Sequence, residues 1–167
     1  MLRGRLKNIN LIVVGRGYAG DVAEFDPPKL ALAMDEDRPG GLDAAVKIPM
    51  GMEPLMTSFT MLSVDGALMR RWGLGAGQRT PLELRGALEG DGGIVQPVVY
   101  ALEGDVSEVD PGTWKPGEKT NIKYTVELRY YKLTVGGVVE HEIDIPNMIR
   151  IIGGVDQLAA QREALNL

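Results

Sequence analysis

The clearest pattern along this chain is a strict two-residue alternation between residues 119 and 135. Ile122, Tyr124, Val126, Leu128 and Tyr130 alternate with Lys123, Thr125, Glu127 and Arg129. A period of two with one apolar side predicts a half-buried strand. At Tyr130-Tyr131 the phase slips by one residue, and Tyr131, Leu133 and Val135 become the apolar set. A bulge, or a strand crossing between sheets, produces such a slip. Gly136-Gly137 then predicts a two-residue hairpin turn into a strand over 138–144.

The same reading predicts strands over 94–109, 82–88, 55–63 and 29–35. In 94–109, Val98, Tyr100, Leu102 and Val106 take one side, and Glu103, Asp105 and Ser107 the other. Pro97 places the start of that strand at an edge or a bulge. In 82–88, Leu82, Leu84 and Leu88 point inward. In 29–35, Leu30, Leu32 and Met34 oppose Lys29, Ala31, Ala33 and Asp35. Pairing 29–35 with 55–63 makes a hairpin whose tip, residues 36–54, is irregular and far longer than a turn needs. It holds Pro39, Pro49, Pro54, the Gly40-Gly41 pair and Met50 and Met52. Near the amino terminus, strands 9–14 and 17–24 form a hairpin around Gly15-Arg16-Gly17. Two short helices complete the pattern. One spans 65–74, capped by Asp65, with Leu68, Met69 and Trp72 on one face; the other spans about 156–165, capped by Asp156, with Leu158, Arg162 and Leu165 in a stripe. The expected fold is mostly β: six to eight antiparallel strands in a β-sandwich or barrel, a short flanking helix, a C-terminal helix and a long β-hairpin arm. With 167 residues, one domain over 1–167 is expected.

Composition narrows the chemistry. The 22 glycines and 10 prolines punctuate the alternating segments, as a strand-rich domain requires. The net charge of −5 argues against a general DNA-binding surface. There is no cysteine and only one histidine, which removes disulfides, thiolate metal sites and His-rich metal sites. The basic opening, with Arg3, Arg5 and Lys7, reads as a solvated amino-terminal arm. The apolar run behind it is too short for a secretory signal, and no membrane anchor is expected.

Three constellations could carry chemistry. Gly15-Arg16-Gly17-Tyr18-Ala19-Gly20 follows an apolar strand and matches the G-x-G-x-x-G of dinucleotide-binding folds. That motif needs a helix after it to present N–H groups to a pyrophosphate. Pro27-Pro28 allows barely two turns, so a turn between strands is the better reading, with a dinucleotide enzyme as the alternative. His141 lies among Glu140, Glu142 and Asp144, but alternation sends His141 to one face and the carboxylates to the other. The pairs Glu103/Asp105 and Glu89/Asp91 have the spacing of strand neighbours, without further catalytic apparatus.

The carboxy-terminal stretch carries a more specific signal. Tyr130-Tyr131, Gly136-Gly137, Glu142-Ile143-Asp144, Asn147-Met148 and Gly154-Val155-Asp156-Gln157-Leu158 succeed one another. Upstream stand Pro28-Lys29-Leu30, and Glu108 to Trp114 followed by Gly117-Glu118-Lys119. With the opening Asn8 to Gly20, this order resembles the tail tube proteins of contractile-tailed phages and R-type pyocins over essentially the whole chain. Residues 43–54 carry more prolines than that family's pattern.

The resemblance implies a structural subunit with no catalysis and no cofactor. Six subunits would form a ring, and rings would stack into a hollow tube that conducts DNA, or ions in a pyocin. The implied partners are other copies of the chain, a tail sheath protein, baseplate or initiator proteins, a tape-measure protein, and DNA passing without sequence-specific binding. The implied location is the virion tail or a pyocin particle, assembled in the host cytoplasm. The tube protein of a type VI secretion system shares the fold and is an alternative. Combined with alternation, the resemblance places Lys29, Asp35, Ser58, Thr60, Glu103, Asp105, Thr125, Glu127 and Arg129 toward the lumen. It makes Gly40, Gly41, Leu42, Val46, Ile48, Met50, Met52 and Met56 an inter-subunit arm.

Overall fold

The computed structural model describes residues 3–167. Twelve strands and two short helices follow one another: β1 (Arg5–Val13), β2 (Arg16–Gly17), β3 (Val22–Asp26), β4 (Leu32–Asp37), β5 (Val46–Met52), β6 (Met56–Met61), α1 (Gly66–Met69), β7 (Thr80–Glu89), β8 (Val95–Asp110), β9 (Ile122–Val135), β10 (Val138–Asp144), β11 (Ile149–Ile152), β12 (Val155–Asp156) and α2 (Ala159–Leu165). The mostly β, antiparallel architecture expected from alternation is present.

Ten strands form one sheet, in the order β12-β11-β10-β9-β8-β7-β1-β2, with β6 on β9 and β3 on β6. The sheet therefore forks at β9. Ile122 to Glu127 pair with β6, while Tyr130 to Val135 pair with β10; β8 flanks both halves. The phase slip read from Tyr130-Tyr131 sits at this fork. Glu103 pairs with Tyr130 and Gly104 with Leu128, which leaves Arg129 as the extra residue of a bulge. Before the bulge, Ile122, Tyr124, Val126 and Leu128 are buried; after it, Tyr131 is.

The fork curls the sheet around an apolar interior. Leu11 and Val13 meet Leu82, Leu84, Leu102 and Val106 from the neighbouring strands, and Phe59 and Met61 of β6 close over them. Phe59 stacks on Tyr124 with ring centroids 5.2 Å apart. One branch of the sheet ends at β3; on the other side β1 carries only the two-residue β2, at Ile12 and Val13. β1 and β3 are not hydrogen-bonded to each other, so the curled sheet keeps a slot between them.

Several local expectations change. The first hairpin turns at Val14-Gly15, both at positive φ, and not over Gly15-Arg16-Gly17. Its second strand is only two residues long. The chain breaks at Gly20 and re-enters as β3 against β6. Strand 29–35 does not pair with 55–63: β4 pairs with β5 in a separate two-stranded sheet, and β6 belongs to the main sheet. The outsized tip is thus itself half of a hairpin. Pro49 is tolerated because β5 is an edge strand, and Gly51, at φ +99°, supplies the bulge beside it.

The first helix is a single turn. Asp65 caps it, accepting the Ala67 N–H at 2.8 Å, but Trp72 lies beyond it and is mostly exposed. The C-terminal helix is capped at Leu158, where no side chain bonds the backbone. Asp156 acts from β12, accepting the Leu158 N–H at 3.1 Å and pairing with Arg162. Leu165 is exposed, so no buried stripe forms. Leu88 is only half-buried. The opening segment is a strand from Arg5 onward, and Lys7 pairs with Glu89 at 3.7 Å.

Candidate assembly surfaces

Alternation gives the main sheet one polar outer face, and most of the residues assigned to a lumen meet there. Ser58 lies opposite Thr125, and Asp105 lies opposite Glu127. Thr60, Glu103 and Arg129 extend the same face. Lys29 and Asp35 do not belong to it: Lys29 precedes β4, and Asp35 lies within β4, in the separate hairpin. The pairing β3-β6 adds residues that alternation alone could not place. Glu24 lies opposite Thr60, and Asp26 opposite Ser58, whose hydroxyl donates to Asp26 Oδ2 at 2.7 Å. Asp105 pairs with Arg129 at 3.3 Å, and Glu103 with Arg79 at 3.5 Å. Such exposed pairs contribute little to stability. What they leave is a hydrated face on which Glu24, Asp26, Glu103, Asp105 and Glu127 outnumber Lys123 and Arg129.

The second surface is the hairpin of β4 and β5. Gly40 and Gly41 lie at its tip, and Leu42, Val46, Ile48 and Met50 are exposed along it. Met52 ends β5 at the base of the hairpin, and Met56 lies outside it. Met52 is half-buried and packs on the core at the hairpin base, and Met56 is in β6, opposite Glu127. Below the base lies a cavity of about 600 Å³, lined by Met52, Leu55, Leu128, Ile143, Met148 and Leu158 among others.

The third surface is the slot between β1 and β3, a cavity of about 650 Å³. Leu6, Ile9, Phe25, Leu88, Val98 and Tyr100 are among its lining residues. Sequence reasoning did not find it, because its walls come from four separate strands.

A polar latch holds the β1–β2 hairpin to α1. The Tyr18 hydroxyl donates to Asp65 Oδ2 at 2.7 Å, and Arg16 reaches the same oxygen at 3.2 Å. Burial, with the Asp65 contact second, pushes the Tyr18 hydroxyl up to about 12. The hydrogen bond from Tyr18 holds the Asp65 carboxyl below its usual range. Tyr130, half-buried and donating to Glu142 at 3.0 Å, is likewise pushed up to about 12, by partial desolvation first and the Glu142 contact second.

The glycine motif forms no phosphate cradle. After Gly20 the chain continues as β3, and the first helix begins only at Gly66. His141 is half-buried beside the Tyr131 ring. Glu89 is occupied by Lys7, and Asp91 lies in the turn before β8.

The match that decides the family covers residues 3–165, against the family described as Phage tail tube protein FII. The chain belongs to that family. Tail tube proteins are structural components of the virion tail, and the polar face, arm and slot are therefore surfaces of a tube subunit. Two curated relatives carry the same designation. The tail tube protein of Escherichia phage P2 is 28% identical, with 98% of this chain and 97% of the relative covered. The major tail tube protein of Serratia phage KSP20 is 29% identical, with 87% and 85% covered. A chain from the cryo-EM structure of the anti-feeding prophage (AFP) baseplate, 6-fold symmetrised, has the same fold. It superposes with a TM-score of 0.51 at 8% identity, covering 80% of this chain and 95% of that one.

Proposed function

We propose that this tail tube protein forms six-membered rings that stack into a hollow tube, with the polar face of β3, β6, β9 and β8 lining the channel. The carrying observation is the convergence of Ser58, Thr60, Glu103, Asp105, Thr125, Glu127 and Arg129 on one broad face with an excess of carboxylates. A wall of that sign repels phosphates weakly, so DNA slides along it without being held. The hydrophobic face of the same sheet fills the subunit core, which leaves the outer face free for water and cargo. The exposed hairpin of β4 and β5 carries the contact between rings. A contractile sheath surrounds the tube, baseplate and tape-measure proteins set its start and length, and assembly takes place in the host cytoplasm before DNA passes into the next cell.

The test is the double replacement Glu103→Lys with Asp105→Lys. Both side chains are on the surface, so the subunit should fold with a stability change of about 1 kcal/mol or less. Tubes should form, and DNA release from particles built with them should slow. A helical reconstruction of the tube with this face on its outer wall would sink the proposal.

A further inference from the structure

A small groove runs between the β1–β2 turn and α1, a cavity of about 260 Å³. Val13 and Leu68 form its apolar floor, and Val14 and Ala67 its rim. The charged residues lining it are Arg16 and Arg71; no Asp or Glu lines it. Both walls come from acid-free stretches, since residues 3–20 and 66–82 contain no Asp or Glu. The rim is uncovered. Val14, a β-branched residue held at φ +49° on the turn, is 52% exposed.

The two guanidinium groups differ. Arg16 is engaged by Asp65 at 3.2 Å. Arg71 has no carboxylate partner among the described residues. Its Nε donates to Thr80 Oγ1 at 3.0 Å, and one terminal nitrogen donates to the Arg79 carbonyl at 2.9 Å. Those two bonds hold the side chain in place and fill one edge of its five-donor fork. The outer edge is left for a ligand. A held arginine with a free edge, beside an apolar surface, fits a carboxylate carried next to an aliphatic side chain.

The arm displays that combination. In its ladder Asp35 lies opposite Ile48, and Asp37 opposite Val46. Directly opposed residues share a face, so one side of the hairpin sets an acidic row beside an apolar row. All four residues are exposed, and among the described residues neither aspartate pairs with a cation. No arm residue lines the groove of its own chain.

We infer that the arm of one subunit docks in the groove between the β1–β2 turn and α1 of a second copy. The Asp35–Asp37 row meets the free edge of Arg71, while Val46 and Ile48 cover Val14 and Ala67. Apolar burial supplies the attraction, and the charge pairing sets register and excludes wrong seats. The contact is heterologous: each subunit offers an arm at one place and a groove at another, so growth continues from every added copy. This inference rests on the proposed role of the arm in assembly and names its receptor.

The chain has no cysteine, so a cross-link can report the contact directly. In tubes of the full chain carrying Val46→Cys and Ala67→Cys, a short bis-maleimide should give a ladder of covalent multimers. Either cysteine alone should give no ladder. Asp35→Lys with Asp37→Lys should raise the protein concentration needed for tube growth about tenfold, as should Arg71→Glu. Combining the three should bring it back to within about threefold of the original. Arg71→Glu also removes the bonds to Thr80 and Arg79, so thermal unfolding of the free subunit checks that it is intact. If that subunit melts early, the cross-link and Asp35→Asn with Asp37→Asn, which leave Arg71 in place, decide the matter. If replacing residues 35–48 by a tight turn stops tube growth, yet the cysteine pair gives no ladder and the charge swap does not rescue, the groove is not the receptor and the arm's role stands. If the shortened chain still forms tubes, both fall. If Arg71→Glu leaves growth unchanged but alters DNA release, the arginine serves a phosphate and the inference is overturned.

Discussion

Replacing Gly104 with alanine tests whether the fork in the sheet depends on a close approach of two backbones. A Cβ at this position would sit 2.0 Å from the Glu127 carbonyl oxygen, 2.8 Å from its carbon and 2.9 Å from Leu128 Cα. A carbon and an oxygen in ordinary contact stand about 3.3 Å apart, so the strands would have to part by more than an ångström. Glu127 cannot yield cheaply. It lies between Met56 of β6 and Asp105 of β8, and retreat from one strand presses it on the other. Overpacking of this kind costs about 1–3 kcal/mol, and about two ladder hydrogen bonds at roughly 1 kcal/mol each are strained with it. The sum, about 3–5 kcal/mol, corresponds to a fall in Tm of roughly 10 °C or more for a chain of this length. Thermal unfolding of the unassembled subunit by circular dichroism measures it. Gly40→Ala is the matched control: nothing lies within 4 Å of the added carbon, and its change should stay within about 0.5 kcal/mol. A Gly104→Ala subunit melting within 2 °C of the original, a threshold drawn from about 1 kcal/mol, would refute the reasoning.

Tyr18→Phe should cost about 1 kcal/mol in chemical denaturation through loss of the hydrogen bond to Asp65. Asp65→Ala should cost more, since it also removes the cap of α1 and the partner of Arg16. Asp65 has a depressed folded pKa, so its contribution is complete above the ordinary carboxylate value and is lost as pH falls through the folded one; Asp65→Asn should flatten that acid limb. At the alkaline end Tyr18, Tyr130 and Tyr131 hold their protons up to about 12 while the unfolded chain ionises near 10.0. Stability should therefore fall as pH rises between those values, and a flat profile there would contradict the burial of these hydroxyls. The Tyr124 hydroxyl is buried without a partner among the described residues, so Tyr124→Phe should be neutral or stabilising by about 1 kcal/mol. A loss of 2 kcal/mol, the scale of a broken buried bond, would reveal a contact made by that hydroxyl.

The strands of the main sheet were legible wherever one face is buried and the other wet, because that condition writes a period of two into the chain. β8 and β9 satisfy it over most of their length, and the slip at Tyr130-Tyr131 marked the bulge itself. The pairing partner was not legible. β6 alternates as clearly as β9 does, yet nothing local says that Ser58 lies opposite Thr125 and not opposite a residue in the preceding strand. Proximity along the chain favoured a hairpin, and Pro27-Pro28 turned the chain away from it. β5 was hidden by Pro49, and β11 and β12 are too short to show a period. Alternation brought Ser58, Thr60, Glu103, Asp105, Thr125, Glu127 and Arg129 to one face but missed Glu24 and Asp26, which reach it through the β3–β6 pairing, and it misplaced Lys29 and Asp35, which followed the wrong pairing. The slot left no trace in the sequence, since Leu6, Phe25, Leu88 and Val98 become neighbours only after the sheet has curled. The arm announced itself by length and by its prolines and glycines. Its base did not, because Met50 and Met52 look alike in sequence and only the second packs on the core.

The sharing of β9 between β6, β8 and β10 also sets a timetable for the newborn chain. β6 can pair with β3 at once, but its other edge has no partner until residues 122–127 have left the ribosome, and β1 must wait for β7. At about 5–20 residues per second, the stretch from Met61 to Val135 takes roughly 4–15 s to synthesise. Through that interval Phe59, Met61 and Leu11 have no complete core to enter, while the β4–β5 hairpin, whose two strands are close in sequence, needs no later partner. The β4–β5 hairpin can thus exist before the body that carries it, during seconds when neighbouring chains on the same message are equally unfinished. Trigger-factor-like holdases that cover unpaired strands for seconds would protect the yield of subunits, and slowing synthesis between residues 61 and 122 would lower it.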